Sequence, residues 1–263
     1  MRRLGALALA AVSLATTGLV STAVPAGAQV PSQPYVDDVV PRADGCIRLG
    51  PKWAGVKVYL VQRRLGTTSD RDRYLSATKS AVERFQQRRG LPVTGRVDRA
   101  TWLALDTGRP FCLDRFTVQP QVPVDASRPQ RVDAMIAWAS NQVGRRYVWG
   151  GAGRLGYDCS GLALQAMHAG GRVLPTVTTD LHQRIDFGTA TAIAESGPPR
   201  LPFSERRRGD LVFWGDPGSI SHMAIYLGHG RIVEAVRPRV QRSDLRSHDV
   251  PLKGFVVRPF GHA

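Results

Sequence analysis

Cysteine is scarce in this chain: Cys46, Cys112 and Cys159 are the three among 263 residues. In an exported protein an odd count leaves one thiol unpaired. A long apolar run is also lacking. Leu4 to Val20 comes nearest, but Ser13, Thr16, Thr17 and Gly18 interrupt it. Spanning a bilayer takes about 20 strongly apolar residues, so a transmembrane anchor is excluded. Histidines at ligand spacing beside a carboxylate are missing too. That argues against a zinc peptidase, and neither a metal nor any other cofactor is expected. Lysine is nearly absent, with four residues among 36 basic ones.

What the start of the chain does hold is a secretory pattern. Arg2 and Arg3 precede the weakly apolar stretch, and Ala26-Gly27-Ala28 forms an A-x-A cleavage site. Residues 1–28 are therefore expected to be a signal peptide, with the mature chain starting at Gln29. Removing Arg2 and Arg3 lowers the formal charge from +15 to +13, which is still strongly basic. In the cytosol such a charge would suggest nucleic acid. Outside the membrane, the abundant polyanions are wall polymers carrying phosphate and carboxylate. The expectation is a secreted, wall-associated protein with no nucleic-acid partner and no membrane anchor once the signal is removed. Cys46 and Cys112 bracket one compact segment and Cys159 lies in another, so the expected disulfide is Cys46–Cys112. Closing that loop would stabilise the segment by ~4 kcal/mol on the chain-entropy account. Cys159 is then the free thiol.

The chain reads as two domains. Residues 29–44 form an extended leader without helical period. Over 45–113 the pattern is helical: Val56, Tyr59 and Leu60 share one face, and Ala77, Ala81, Val82 and Phe85 another. Gly90 ends the second helix and Asp98 caps a third that carries Trp102, Leu103 and Leu105. The runs Val58–Leu65, Ala81–Gln86, Gly90–Asp98 and Thr101–Leu105 resemble the three-helix peptidoglycan-binding domain. Asp70 to Tyr74 replaces the glycine-rich turn usual in that family, so no ligand contact is carried over. Residues 114–129, with Pro120, Pro123 and Pro129, read as a semi-rigid linker.

An α+β domain is expected over 130–263. Val132, Met135, Ile136, Ala139 and Val143 mark an amphipathic helix, and a second helix opens at Cys159. Asp210–Trp214, His222–Leu227, Arg231–Val236 and Gly254–Arg258 read as strands. Gly151-Ala152-Gly153-Arg154-Leu155-Gly156 fits GxGxxG, yet no parallel βαβ unit follows, and a dinucleotide site is rejected.

Cysteine, then imidazole, then carboxylate, set on a helix and then a sheet, is the layout of a papain-like thiol hydrolase. Unpaired N–H groups at a helix N-terminus favour the Cys159 thiolate and can donate to an oxyanion. Asp158, just before that helix, is read either as its cap or as a substrate contact. The Glu234 assignment makes a demand on a turn. A three-residue loop Gly228-His229-Gly230 places Glu234 opposite Ala224, on the face of His222, whereas a two-residue loop reverses it.

Tyr147–Gly151, Asp158-Cys159-Ser160-Gly161, Arg208–Trp214 and His222–Gly228 together resemble the NlpC-type cysteine endopeptidases of bacterial walls, and Glu234 as third residue resembles the Rip-type members. The resemblance implies a papain-like domain with Cys159 as nucleophile, His222 as general base and Glu234 orienting it. It implies Tyr147 near the oxyanion, and Asp158 and Ser160 along the substrate groove. The activity implied is cleavage between D-isoglutamate and diaminopimelate in peptidoglycan, in wall remodelling or daughter-cell separation. Peptidoglycan and other wall hydrolases are the implied partners. His168, His182, His229 and His248 are read as structural or surface residues. The rivals are an inactive wall-binding protein and a wall-directed acyl transferase; the Ser-His-Gly-x-x-Cys run of the L,D-transpeptidases is absent.

Overall fold

The computed structural model describes residues 48–69, 72–109, 111, 118–153, 155–174, 177, 182, 188–195 and 198–261. The signal segment, the leader, and both Cys46 and Cys112 lie outside the described residues.

Three helices build the first module: α1 (Val56–Leu65), α2 (Ser76–Arg88) and α3 (Arg99–Leu105). The buried face of α1 is Lys57, Val58, Val61 and Gln62, not the expected Val56, Tyr59 and Leu60. On α2, Thr78, Ala81, Val82 and Gln86 are buried, while Ala77 is exposed. On α1 only Leu60 of the expected three packs partly against the core. On α2 Ala81, Val82 and the partly buried Phe85 lie inward as expected. The periodicity missed Gln62, Thr78 and Gln86 because their buried side chains are polar. Gln86 Oε1 accepts from the N–H groups of Thr94 and Gly95, and its Nε2 donates to Arg96 O and Thr101 Oγ1. Gln62 Nε2 donates to Ser69 Oγ, Arg73 O and Thr78 Oγ1. These glutamines tie helices to turns, satisfying backbone groups that burial would otherwise leave unpaired. Asp98 caps α3 as expected, accepting from Thr101 N–H.

The second domain packs helices on one antiparallel sheet. α4 (Arg128–Ser140) opens at Ser127, whose N–H donates to Gln130 Oε1, with Pro129 in the first turn. It ends before Val143, which is exposed rather than part of the apolar face. A short hairpin, β1 (Ala152–Gly153) and β2 (Gly156–Tyr157), leads into α5 (Cys159–Ala169). Every residue of α5 from Ser160 to Ala169 is buried, as befits a helix enclosed on all sides. α6 (Thr189–Glu195) follows.

The sheet comprises β3 (Arg200–Pro202), β4 (Leu211–Trp214), β5 (His222–Gly228), β6 (Arg231–Val236), β7 (Arg239–Asp244) and β8 (Leu252–Val257). Their order is β3-β8-β4-β5-β6-β7. Its α5-side face joins Leu211, Phe213, Met223, Ile225, Val233 and Ala235 to the apolar residues of α4 and α5. Asp210, at the head of β4, is fully buried and held by Arg258 through two bonds of 2.9 and 2.8 Å. Such a fork is among the strongest pairings available to a buried carboxylate.

Residues 118–126, expected as part of a spacer, lie against the second domain. Val118 and Val122 are buried, His168 Nδ1–H donates to Val118 O at 2.9 Å, and Gln121 N–H donates to Ala169 O at 2.8 Å. A chain beginning at Gln130 should therefore be less stable than one beginning at Asp114. Exposing Val118's contact surface costs about 1.5 kcal/mol or more. Orphaning the buried His168 N–H costs about 1–3 kcal/mol more. Urea midpoints for the two truncations measure the difference, and equal midpoints would show that the segment is only a tether.

Candidate active site

The Cys159 helix begins where it does because Asp158 caps it. Asp158 Oδ1 accepts from Gly161 N–H at 2.8 Å, and Oδ2 accepts from Gly150 N–H at 2.7 Å. One carboxylate thus joins the helix start to the Tyr147–Gly151 loop. Gly161 follows from that closeness: a Cβ there would meet Gly151 O at 2.0 Å. His182 Nε2 lies 3.0 Å from Asp158 Oδ1, and Ser160 Oγ is 3.3 Å from the same oxygen. Asp158 thus takes the capping role of the two expected for it, and both it and Ser160 are turned inward and buried rather than along a groove. His182, read from sequence as a structural or surface residue, belongs to this support.

The cavity lies on the other side of Cys159. Its volume is about 470 Å³, and Tyr147, Trp149, Cys159, Ile220, His222 and Arg237 are among its walls. So Cys159 and His222, 63 positions apart in the chain, face one space. The Arg237 guanidinium stands 5.5 Å from the Tyr147 ring and brings a cation to the rim.

Behind His222 stands Glu234. His222 Nε2 lies 2.7 Å from Glu234 Oε2. Ile225 pairs with Val233 and Tyr226 with Ile232, which sets Ala224 across from Glu234 as the triad requires. The turn achieves this differently from the expected three-residue loop. The ladder closes at Gly228↔Arg231 around His229 and Gly230, and a bulge between Tyr226 and Gly228 restores the register. His229 and Gly230 both adopt positive φ, the backbone that such a tight connection needs.

His248 completes the group and was missed by sequence reasoning. Its Nε2 lies 2.6 Å from the same Glu234 Oε2, and its ring centroid is 4.5 Å from that of His222. Trp214 flanks both rings, at 5.4 and 4.7 Å. The absence of metal-ligand spacing in the sequence therefore does not carry over to three dimensions. His222, Glu234 and His248 each offer a ligand atom within 4.8 Å of the others. Nothing in the local pattern could have revealed this, because His248 sits in the turn after β7, a strand whose one buried residue is Val240.

The electrostatics divide the site. Burial alone would push the Glu234 carboxyl up. The hydrogen bonds from His222 and Ser243 and the charges of His222 and His248 outweigh it and hold it at about 2. Glu234 is thus ionised at any working pH and accepts from Nε2–H of both rings, which leaves His222 Nδ1 to accept a proton. For Cys159 the balance goes the other way. Burial pushes the thiol up to about 12, with the Asp158 carboxylate adding to it, and the Met223 and Ser160 backbone bonds only partly offset this. The expected resting thiolate is not what this arrangement favours, because desolvation exceeds the help of the helix terminus.

Residues 144–253 match the NlpC/P60 family, and residues 54–105 match the Putative peptidoglycan binding domain. Peptidoglycan endopeptidase RipB of Mycobacterium tuberculosis is 32% identical over 123 residues, covering 42% of this chain and 45% of that protein. Protein P54 of Enterococcus faecium is 35% identical over 106 residues, covering 40% of this chain and 18% of that one. The chain thus spans less than half the length of these curated relatives. A crystal structure of the P60 domain from the M. avium subspecies paratuberculosis antigen MAP1204 is 28% identical. It covers 51% of this chain and 98% of that one, at a TM-score of 0.40.

Proposed function

We propose that this chain, which carries an NlpC/P60 domain behind a peptidoglycan-binding module, is a secreted endopeptidase that hydrolyses stem-peptide amide bonds in peptidoglycan. One observation carries the reading: Cys159 and His222 face a single cavity, with the ionised Glu234 2.7 Å behind the imidazole. In the proposed reaction, His222 Nδ1 takes the Cys159 proton as sulfur attacks the carbonyl carbon. The carbonyl π electrons move onto oxygen, where the N–H groups at the start of α5 and the Tyr147 hydroxyl would stabilise them. The imidazolium then gives its proton to the departing amine as the C–N bond breaks. Water, deprotonated by the same ring, releases the acyl group and restores the thiol.

The bond favoured is that between D-isoglutamate and diaminopimelate. Both residues carry carboxylates, and Arg237 supplies a cation at the cavity rim. The module over 45–113 would hold the enzyme on glycan strands, and the domain over 130–263 would cut. The basic surface would add attraction to anionic wall polymers, with export through the 1–28 segment. Incubating the full chain with purified peptidoglycan and sequencing the released fragments tests the reading. New N-terminal diaminopimelate is expected. Wall binding without soluble fragments would support a purely binding protein, and exchange onto an added amine would support a transferase.

A further inference from the structure

We propose that His222, Glu234 and His248 form a site for a divalent transition-metal ion, zinc being the best fit, and that occupancy switches the proposed hydrolysis off. The inhibitory half rests on His222 being the base; the binding half does not.

The donor set is two imidazoles and one carboxylate, a combination suited to zinc and its neighbours. Three independent parts of the fold deliver it: β5, β6 and the turn before β8. Both Nε2 atoms already aim at one Glu234 oxygen, at 2.7 and 2.6 Å. Glu234 is buried at 1% exposure, and its Oε2 is the one oxygen that both rings face. The two rings are less enclosed, with 15% and 17% of their side chains accessible, leaving a route for an ion and room for water as a further ligand. Tetrahedral coordination with bonds of about 2.0–2.1 Å sets ligand atoms about 3.4 Å apart. Each nitrogen must therefore withdraw from Oε2 by less than about 1 Å, within reach of small ring movements.

The consequence for catalysis is a matter of one proton. With Nε2 facing Glu234, a His222 ring that acts as base carries its proton on Nε2 and its lone pair on Nδ1. A metal bound at Nε2 takes the place of that proton, which moves through solvent to Nδ1. His248, whose Nε2 faces the same oxygen, undergoes the same exchange. His222 Nδ1 is then a donor and cannot accept the thiol proton. Inhibition arises without any bond from metal to Cys159 sulfur. This separates it from capture of an ion by a cysteine–histidine pair, where the thiolate is itself a ligand.

The test uses the full chain and metal salts alone. In Cys159→Ala, calorimetric titration with Zn2+ should show binding of the same affinity as wild type. Co2+ should give the visible bands of a tetrahedral ion without sulfur-to-metal charge transfer. His248→Ala, with His248→Gln as the variant closer in size, should weaken binding by about 10- to 100-fold or more, since loss of mere supporting contacts already costs that much. Circular dichroism checks that each variant is folded. In hydrolysis assays, Zn2+ should inhibit wild type reversibly on chelation. The His248 variants, each compared with its own metal-free rate, should need correspondingly more zinc. Loss of binding in Cys159→Ala with retention in both His248 variants would place the ion on the thiol and overturn the proposal. So would failure of folded wild type to bind Zn2+. Zinc binding by a wild-type chain that releases no peptidoglycan fragments would instead leave the site standing and remove the proposed hydrolysis.

Discussion

Cys159→Ala should abolish release of fragments from peptidoglycan while leaving the fold and zinc binding intact. Alanine removes the attacking sulfur but little volume, and the Asp158 cap acts through backbone and carboxylate rather than through the thiol. The residual rate should fall to background, because no other described cysteine is available and a lone oxyanion site does not form an acyl-enzyme. Hydrolysis retained by this variant would remove the thiol mechanism altogether. Alkylation gives a second, graded measurement. With the thiol held near 12 by burial, iodoacetamide labelling of Cys159 should keep accelerating as pH rises through the alkaline range. A plateau already reached at neutral pH would show that a standing thiolate–imidazolium pair, not proton transfer during attack, describes the resting enzyme. Cys46 and Cys112, if joined as expected, should resist labelling.

What the sequence made legible was chemistry tied to short runs. Asp158–Gly161 foretold a capped helix with the thiol in its first turn, and the strand parity of β5 and β6 foretold the His222–Glu234 pair. Four strands were visible because each carries a mostly apolar run that the sheet buries. β7 was not, since Arg239-Val240-Gln241-Arg242-Ser243-Asp244 carries one apolar residue and forms through pairing with β6. Missing β7 meant missing the turn that returns His248 to the site. In the helical module, the polar residues Gln62 and Gln86 bond inward and take buried places that an apolar pattern cannot mark. Asp158 and Ser160 illustrate a third limit. Sequence places them beside the nucleophile, but only the packing of Gly150, Gly161 and His182 around them shows that they face inward.

Glu234→Gln should lower kcat/KM by about 5- to 12-fold with KM little changed, and His222→Ala should cost about 10³-fold or more. The reason for a moderate loss lies in what Glu234 touches. Oε2 accepts from His222 and His248, and Oε1 faces Gln241 Nε2 at 3.5 Å. A glutamine can keep its carbonyl toward the two rings and present its amide to Gln241, whose own amide can turn over to accept. Gln241 then loses its 3.0 Å bond to Ser243 Oγ, but His222 keeps its tautomer. What disappears is the negative charge that steadies the imidazolium while it holds the thiol proton. Charged hydrogen bonds exceed neutral ones by about 1–1.5 kcal/mol, and each 1.4 kcal/mol is a factor of ten in rate. The same carboxylate should leave a stability signature. Its folded value of about 2 lies below the ordinary 4.5, so its contribution is full above pH 4.5 and fades as pH falls toward 2. Wild type should therefore exceed Glu234→Gln in urea resistance at pH 6, with the gap closing between pH 4.5 and 2. Turnover equal to wild type across the whole pH profile, with a pH-independent stability gap, would make Glu234 a buried strand residue that only happens to face His222.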